Sequence, residues 1–271
     1  GDGVQTFGGS YYDQAYGVAT SSGTVYVTGY FTSTNAGVGG AGTIRPVGGS
    51  DAFVLALDAA TGAAVTSFSG DGIQTFGGSA WDDGYGIAIS AGTVYVTGYF
   101  RSTNAGVGGS GTIGVVGGSW NYPDAFVLAL DAATGTAKTT FSGDGVQTFG
   151  GSFSDYGYGV AVSGGTVYVT GYSESTDAGV GALGSIASVG LLDAFLVALD
   201  AATGSPAITF SGDGVQTFGG SNNDYGYGVA VSGGTVYVTG RFESWDAGVG
   251  GVGNCIAQGW GGFLLPLDAA T

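Results

Sequence analysis

The chain has 271 residues, a formal net charge of −16 and only four basic residues. So few cations cannot form a basic patch, which argues against nucleic-acid binding. The absence of histidine excludes a His-based catalytic triad and a His-ligated metal site. Hydrophobic residues make up 44% of the chain, so the sequence predicts a folded protein despite its 60 glycines.

One sequence unit occurs four times. The copies begin where the segment GDGVQTFGGS recurs almost unchanged, at Gly1, Gly70, Gly143 and Gly212. Their approximate bounds are 1–69, 70–142, 143–211 and 212–271. We interpret 1–271 as a single domain composed of these four parts. The fourth unit is the most divergent, as terminal repeats often are.

The first predicted strand of a unit is Tyr16–Thr20 in the first copy. Side chains alternate along a strand, so Gly17 and Ala19 share one face, which suits a crowded position near a central axis. The short hairpin Ser21–Gly23 carries a glycine where positive φ is expected. It leads to the second predicted strand, Thr24–Phe31, which is rich in β-branched and aromatic residues.

The third predicted strand, Ala52–Leu57, is apolar at every position, which indicates burial on both faces. Asp58–Gly62 then predicts a turn, because aspartate bonds nearby backbone and glycine adopts a left-handed conformation. The fourth predicted strand, Gly3–Phe7 or its equivalent, is more polar, as is typical of an outer strand. No segment shows the apolar spacing of a helix.

Four-stranded units around an axis are the architecture of a β-propeller. The sequence therefore predicts an all-β, four-bladed β-propeller. The chain starts with a fourth strand and ends with a third strand, so pairing Gly1–Gly9 with Phe263–Leu267 closes the ring. Pro266 disfavours an interior ladder position in that last strand. The opening strand can alternatively complete a blade in a neighbouring subunit, and both arrangements stay open.

Three runs of the third unit resemble the bacterial SBBP-type β-propeller repeat: Asp155–Val162, Gly165–Gly171 and Asp193–Asp200. The link Thr140–Val146 is similar to the delta-type repeat of large bacterial surface proteins. The resemblance covers all four units. It implies a propeller in a secreted or cell-surface setting, with no enzymatic activity. The glycine-rich insertion Ser33–Ser50 and its equivalents are longer than such repeats usually carry.

Candidate catalytic and metal-binding residues are few, and we expect no catalytic site, no metal and no cofactor. Asp82 and Asp83 form the only adjacent carboxylate pair for a glycosidase-type mechanism, but consecutive strand residues point to opposite faces. An Asp-Gly pair recurs at Asp2, Asp71, Asp144 and Asp213. It indicates a stabilised turn rather than a calcium loop, since no run of alternating aspartates accompanies it. For the single cysteine, Cys255, we expect a buried, small apolar role.

Aromatic residues are concentrated in two sets of loops that a propeller places on one face. The candidate binding residues are Tyr11, Tyr12, Trp81, Trp120, Tyr122, Phe153, Trp245 and Trp260. Exposed aromatic loop residues favour binding of a sugar by stacking, or of another protein. The alternative is that they cap the glycine-rich loops as a second core.

The sequence thus predicts a non-catalytic structural or adhesive module of an extracellular or cell-surface protein. Self-association through strand edges or strand exchange is expected, because the outer strand Val4–Phe7 carries none of the lysines that usually guard an edge. The alternative function is a carbohydrate- or protein-binding propeller that uses the aromatic loop face. We expect no nucleic-acid partner and no membrane span.

Overall fold

The computed structural model describes residues 3–40, 42–116, 121–180, 186–256 and 259–270. Twenty β-strands lie within these ranges, and their sheets are antiparallel. The described part of the chain contains no helix that is long and apolar enough to cross a membrane. The all-β class predicted from the sequence is therefore confirmed.

The sheets are built from four kinds of longer strand and one short one. The first strands are β2 (Asp13–Ser21), β7 (Asp82–Ser90), β12 (Asp155–Ser163) and β17 (Asp224–Ser232). The second strands are β3 (Thr24–Phe31), β8 (Thr93–Phe100), β13 (Thr166–Ser173) and β18 (Thr235–Phe242). The third strands are β5 (Asp51–Asp58), β10 (Asp124–Asp131), β15 (Asp193–Asp200) and β20 (Gly261–Asp268).

Outer strands, each of which opens a sequence unit, complete the set. They are β1 (Phe7–Gly8), β6 (Ile73–Gly77), β11 (Val146–Gly150) and β16 (Val215–Gly219). Short strands inside the glycine-rich insertions are β4 (Gly37–Val38), β9 (Gly106–Val107), β14 (Gly179–Val180) and β19 (Gly248–Val249). The observed second strand β3 has the predicted bounds, whereas β2 extends beyond the prediction at both ends.

Each five-stranded sheet takes strands from two consecutive sequence units. The first sheet has the order β2-β3-β5-β6-β9, in which β6 and β9 belong to the second unit. The next two sheets repeat this order with β7-β8-β10-β11-β14 and β12-β13-β15-β16-β19. The register between third and outer strands places Ala52 opposite Phe76 and Val54 opposite Gln74. An outer strand therefore ties its own unit to the preceding sheet.

Consecutive sheets pack against each other along the chain, and their first strands come closest. β2 packs on β7, β7 on β12 and β12 on β17. A Cβ on Gly17 would lie 2.8 Å from the carbonyl oxygen of Tyr85, and one on Gly86 would lie 2.7 Å from that of Tyr158. The prediction of a crowded, small-residue face on the first strand is confirmed.

The third strands form the centre of the core. β5, β10 and β15 are buried at their first seven positions, as their continuous apolarity predicted. Outer strands add aromatic rings to the next sheet: the ring centroid of Phe76 lies 4.6 Å from that of Phe126. We call the contact between two consecutive sheets a junction. Each junction combines a chain connection, backbone hydrogen bonds to the outer strand and apolar packing.

The predicted turns are also confirmed. Ser22 and Gly23 both have positive φ, 49° and 81°, the pattern of a type I′ hairpin. Gly62 has a φ of 71°, and Oδ1 of Asp58 accepts a hydrogen bond from the backbone N of Thr61 at 2.8 Å. In the Asp-Gly pair of the second unit, Oδ1 of Asp71 accepts from the backbone N of Ile73 at 2.9 Å.

The pairing of the first strand, β1, and the last strand, β20, differs from the prediction. β1 pairs with β4 and β20 pairs with β18, so the predicted pairing of Gly1–Gly9 with Phe263–Leu267 is not formed within the described chain. Across the same ranges, no extensive packing joins β17 to β2. β20 alternates between intermediate and exposed residues because neither an outer strand nor a following sheet covers it. The strands of the described residues therefore form no closed ring.

Candidate binding site

A buried aspartate at the start of a first strand holds two loops together. Asp82 accepts hydrogen bonds from the backbone N of Gly78 at 2.8 Å, the backbone N of Arg101 at 3.0 Å and the hydroxyl of Ser102 at 2.6 Å. In the third unit, Asp155 accepts the equivalent backbone bond from Gly151 at 2.9 Å. The loop before the first strand and the loop after the second strand therefore meet at one edge, as the sequence predicted.

The second unit places an aromatic and cationic cluster at this edge. Trp81 is 47% exposed and bridges to Ser50 of the preceding unit. The guanidinium carbon of Arg101 lies 5.7 Å from the Trp81 ring centroid and 5.8 Å from that of Tyr99. Both distances are within the range of cation–π attraction.

Two cavities flank the Trp81–Arg101 pair. One, of about 430 Å³, also has Ser79 and Thr103 in its lining. The other, of about 310 Å³, adds Tyr12 and Asp83. Both are of the size that small-molecule sites have, and both combine aromatic surface with a few polar groups.

Asp83 is fixed at the edge of the second cavity. Its Oδ1 accepts a hydrogen bond from the hydroxyl of Ser50 at 2.7 Å, and its Oδ2 accepts one from the hydroxyl of Tyr99 at 2.9 Å. Burial raises the pKa of the Asp83 carboxyl, an effect that these hydrogen bonds and the Arg101 charge oppose. The adjacent Asp82 and Asp83 thus serve separate structural contacts rather than one paired site.

A ribbon of nine tyrosine rings runs across all four units beside this cluster. Neighbouring ring centroids along it lie 4.6 to 6.2 Å apart. Its members are Tyr16, Tyr30, Tyr85, Tyr99, Tyr156, Tyr158, Tyr172, Tyr225 and Tyr227. Burial, with a contribution from neighbouring tyrosines, raises the pKa of Tyr158 to about 12. The Tyr158 phenol therefore remains uncharged at neutral pH.

Seven of the eight predicted binding residues lie at the surface, with exposed fractions between 38% and 78%. They are Tyr11, Tyr12, Trp81, Tyr122, Phe153, Trp245 and Trp260. Trp120 lies outside the described residues. The structure brings Tyr12 and Trp81 to one cavity, and it places the rings of Tyr122 and Phe153 5.3 Å apart. This exposure favours a surface role over a second core, while ligand binding stays a prediction.

Sequence reasoning missed the two arginines at this edge. Arg101 follows the second strand of its unit, and Arg241 lies near the end of the corresponding strand β18. Arg241 stacks between Tyr225 and Trp260, with both ring centroids 4.6 Å away. A compositional signal was available, because a chain with four basic residues places two of them beside aromatic loops.

Each junction also buries two carboxyl groups. Asp51 is 1% exposed, and burial raises its pKa to about 7, with the charge of Asp82 adding to the effect. Burial likewise raises the pKa of Asp124 to about 8, with Asp155 contributing. No group of three or more potential metal-ligating side chains occurs in the described ranges. Asp2, the first of the recurring Asp-Gly aspartates, lies outside them.

The expectation for Cys255 was wrong. The thiol is free and exposed. Its backbone pairs with that of Ala247 in the glycine-rich insertion of the fourth unit, which lies outside the core strands.

Comparison with known proteins adds little. No family model and no curated protein matches the chain. Among solved structures, it is similar to the computationally designed Ika8 protein, with 11% identity over 83% of this chain and 67% of that chain. The TM-score is 0.27, which is too low to support a conclusion about fold or function.

Proposed function

We propose that the chain is a non-catalytic structural or adhesive module of a secreted or cell-surface protein and assembles with copies of itself, end to end. Its resemblance to the bacterial SBBP-type and delta-type repeats is part of this proposal. The observation that carries it is that β1, an outer strand, and β20, a third strand, are not paired with each other among the described residues. β20 lacks the outer strand that β5, β10 and β15 each have among the described residues.

The internal junctions specify how two copies would pair. In the first junction, Ala52 faces Phe76 and Val54 faces Gln74. The equivalent register between copies places Gly262 opposite Phe7 and Leu264 opposite Gln5. Each internal outer strand pairs on one edge with a third strand and on the other with a glycine-rich insertion. In β1 the second of these edges is already occupied by β4.

Exposed apolar side chains at both ends support the same contact. Leu264 on β20 is 63% exposed, and Val18 on β2 is 66% exposed. Val160, the counterpart of Val18 in the third unit, packs on the core of its own and neighbouring sheets. Covering such residues is the main driving force for association.

The propeller is a further part of the proposal. Each sheet corresponds to one blade, and the fourth blade is completed by the outer strand of a neighbouring copy. A head-to-tail contact of this kind forms a ring when the rotation closes and a filament when it does not. The sheet order, in which outer strands always come from the next unit, supports this arrangement.

Pro266 makes the contact between copies weaker than an internal junction. The backbone N of Ala56, its counterpart, donates a hydrogen bond to the carbonyl oxygen of Gly72 at 2.8 Å. Proline has no N–H, so the equivalent bond to Gly3 of another copy cannot form. The proposed contact therefore has fewer backbone hydrogen bonds than the junctions inside the chain.

The test uses two variants and electron microscopy with light scattering. Deleting residues 1–9 removes the donated strand, and Leu264→Lys places a charge on the receiving edge, as natural edge strands do. Both should abolish assembly. Because Leu264 is exposed, its replacement should leave the melting temperature of the monomer unchanged, which separates lost assembly from lost folding.

A matched control is Leu191→Lys, which places the same charge on a residue that is 60% exposed but lies away from both ends. It should assemble as the wild type does. Assembly that survives both test variants, or a full-length protein that stays monomeric at high concentration, contradicts the proposal.

A second candidate function is ligand binding by the aromatic loop face. The exposure of its tryptophans favours it, since Trp81 is 47% exposed and Trp245 is 62% exposed. Trp81→Ala and Trp245→Ala should weaken binding on a glycan array and leave folding intact. Unfolding by both changes would instead identify the two side chains as core residues, because truncation of a core aromatic costs about 3–5 kcal/mol.

A further inference from the structure

Arg101 has hydrogen-bonding capacity that the protein itself does not use. Its Nε is buried and has no hydrogen-bond partner. Nη2 donates only a long bond to the hydroxyl of Tyr156, at 3.4 Å. No carboxylate of the described ranges lies within ion-pair distance of it. Nε is closed to an incoming ligand, but Arg101 lines both cavities, so its side chain can meet an acceptor there through its other donors.

Arg241 provides an internal comparison. It occupies the position of Tyr99 in its own unit and also stacks between a tyrosine and a tryptophan, Tyr225 and Trp260. Its guanidinium, however, is paired with a carboxylate oxygen of Glu243 at 2.9 Å. Nε is buried without a partner in both arginines, so the difference between them is the ion pair: Arg241 has a carboxylate in the chain, whereas Arg101 lines two cavities.

We propose that the Trp81–Arg101 cluster binds a carboxylated sugar, such as a hexuronate unit of an acidic polysaccharide. The carboxylate would occupy the free donors of Arg101, which form charge-assisted and often bidentate bonds with carboxylates. The sugar ring would stack on Trp81, whose indole combines an apolar face with partial exposure. This inference rests on the second candidate function, because it specifies the ligand of the aromatic face.

The carboxylate of Asp83 lines the smaller cavity, so the ligand carboxylate would lie on the side of the larger one, and the hydroxyl groups around both cavities fit the rest of such a ligand. Ser79 and Thr103 line the larger cavity, where hydroxyl groups can bond with sugar hydroxyls. Tyr12 contributes an exposed phenol to the smaller one. Two cavities on either side of Trp81 match consecutive sugar units better than a single small anion.

The experiment measures the affinity of a galacturonate tetramer by calorimetry at low ionic strength, which limits screening of the contact. The methyl-esterified tetramer has the same rings without the charge and is the ligand control. We expect the acid to bind at least tenfold more tightly than the ester. Arg101→Thr should remove that preference, since one charge-assisted hydrogen bond corresponds to about tenfold or more in affinity.

Two features of the sequence keep the variants interpretable. Thr32 occupies the position of Arg101 in the first unit, so threonine is tolerated there by the same fold. Arg45→Thr is the matched control, because it makes the same charge change at an exposed arginine outside the cluster and should bind as the wild type does.

Each of the following outcomes overturns the inference. Equal binding of acid and ester, or unchanged binding by Arg101→Thr, would exclude a carboxylate contact at Arg101. Absence of binding by both tetramers at millimolar concentration would exclude the sugar. Competition by a glutamate-rich peptide at equal affinity would identify a protein ligand instead. Neutral glycans that bind on an array and depend on Trp81 would retain the second candidate function while excluding this ligand.

Discussion

The third strands β15 and β20 occupy the same place in consecutive units but differ in burial. Leu196 of β15 is 2% exposed, whereas Leu264 of β20 is 63% exposed. Both lie opposite the equivalent threonine of a second strand, Thr170 or Thr239. The residue type and the pairing partner are the same. The burial of this strand is therefore set by the neighbouring unit and not by the unit that contains it.

This comparison can be tested by measuring the free energy of unfolding of two variants. Leu196→Ala should lower the free energy of unfolding by about 2–5 kcal/mol, because it leaves a cavity in a packed core. Leu264→Ala should change it by no more than about 0.5 kcal/mol in the monomer. Chemical denaturation of both variants at low protein concentration gives the two values. Equal decreases in the free energy of unfolding would mean that another protein surface covers β20 in solution.

A smaller effect concerns close packing at the junction. A Cβ on Gly84 would lie 2.5 Å from Oγ1 of Thr28, which donates a hydrogen bond to the carbonyl oxygen of Phe53 at 2.8 Å. Gly84→Ala should therefore destabilise the protein by about 1–3 kcal/mol through overpacking. The first unit already has Ala15 at this position, where it is exposed. Ala15→Gly is the control and should have little effect on the melting temperature.

The carboxyl groups buried at the junctions should make the free energy of unfolding depend on pH. Because burial raises the folded-state pKa of Asp51 to about 7 and of Asp124 to about 8, the folded state holds protons that the unfolded chain loses above about pH 4. The free energy of unfolding should therefore fall as pH rises from about 4 to about 8. The limiting slope is about 1.4 kcal/mol per pH unit for each group.

Melting temperatures at pH 5 and pH 8 provide the measurement. Asp51→Asn retains an acceptor for the backbone N of Val47 and cannot ionise, so it should reduce the loss of stability at pH 8. Asp58→Asn is the control at an exposed turn, where hydrogen bonds lower the pKa of the carboxyl. A wild-type protein that is more stable at pH 8 than at pH 5 would contradict this assignment.

Metal removal should have the smallest effect. The described carboxyls form no cluster of metal-ligand size, and Asp71, Asp144 and Asp213 each bond the backbone N two residues on at 2.9 Å. We expect a chelator to leave the melting temperature nearly unchanged. A decrease of more than about 10 °C would reveal a structural metal, since it corresponds to several kcal/mol for a chain of this size.

Much of the local structure could be predicted from the sequence. The bounds of β3, the positive φ of Gly23 and the burial of β5 follow from local patterns that recur in every unit. Closure could not be predicted this way, because it depends on the angle between sheets. The Arg101 cluster was missed because cation–π stacking joins the end of one strand to a loop and leaves no periodic signal.

The tyrosine ribbon has a spectroscopic consequence. Phenol rings at its separations exchange electronic excitation, and the ribbon adjoins Arg101 and Arg241, each stacked on a tryptophan. Ultraviolet light absorbed by tyrosines of any unit should therefore be emitted largely by Trp81 and Trp260. Tyr158 contacts rings of the second, third and fourth units, and a parallel route through Tyr156 and Tyr172 joins the same units. Among the described tyrosines, Tyr85 makes the ring contact that joins Tyr16 and Tyr30 to the other units, so Tyr85→Leu should raise tyrosine emission from the first unit and make fluorescence a reporter of contact between the first two sheets.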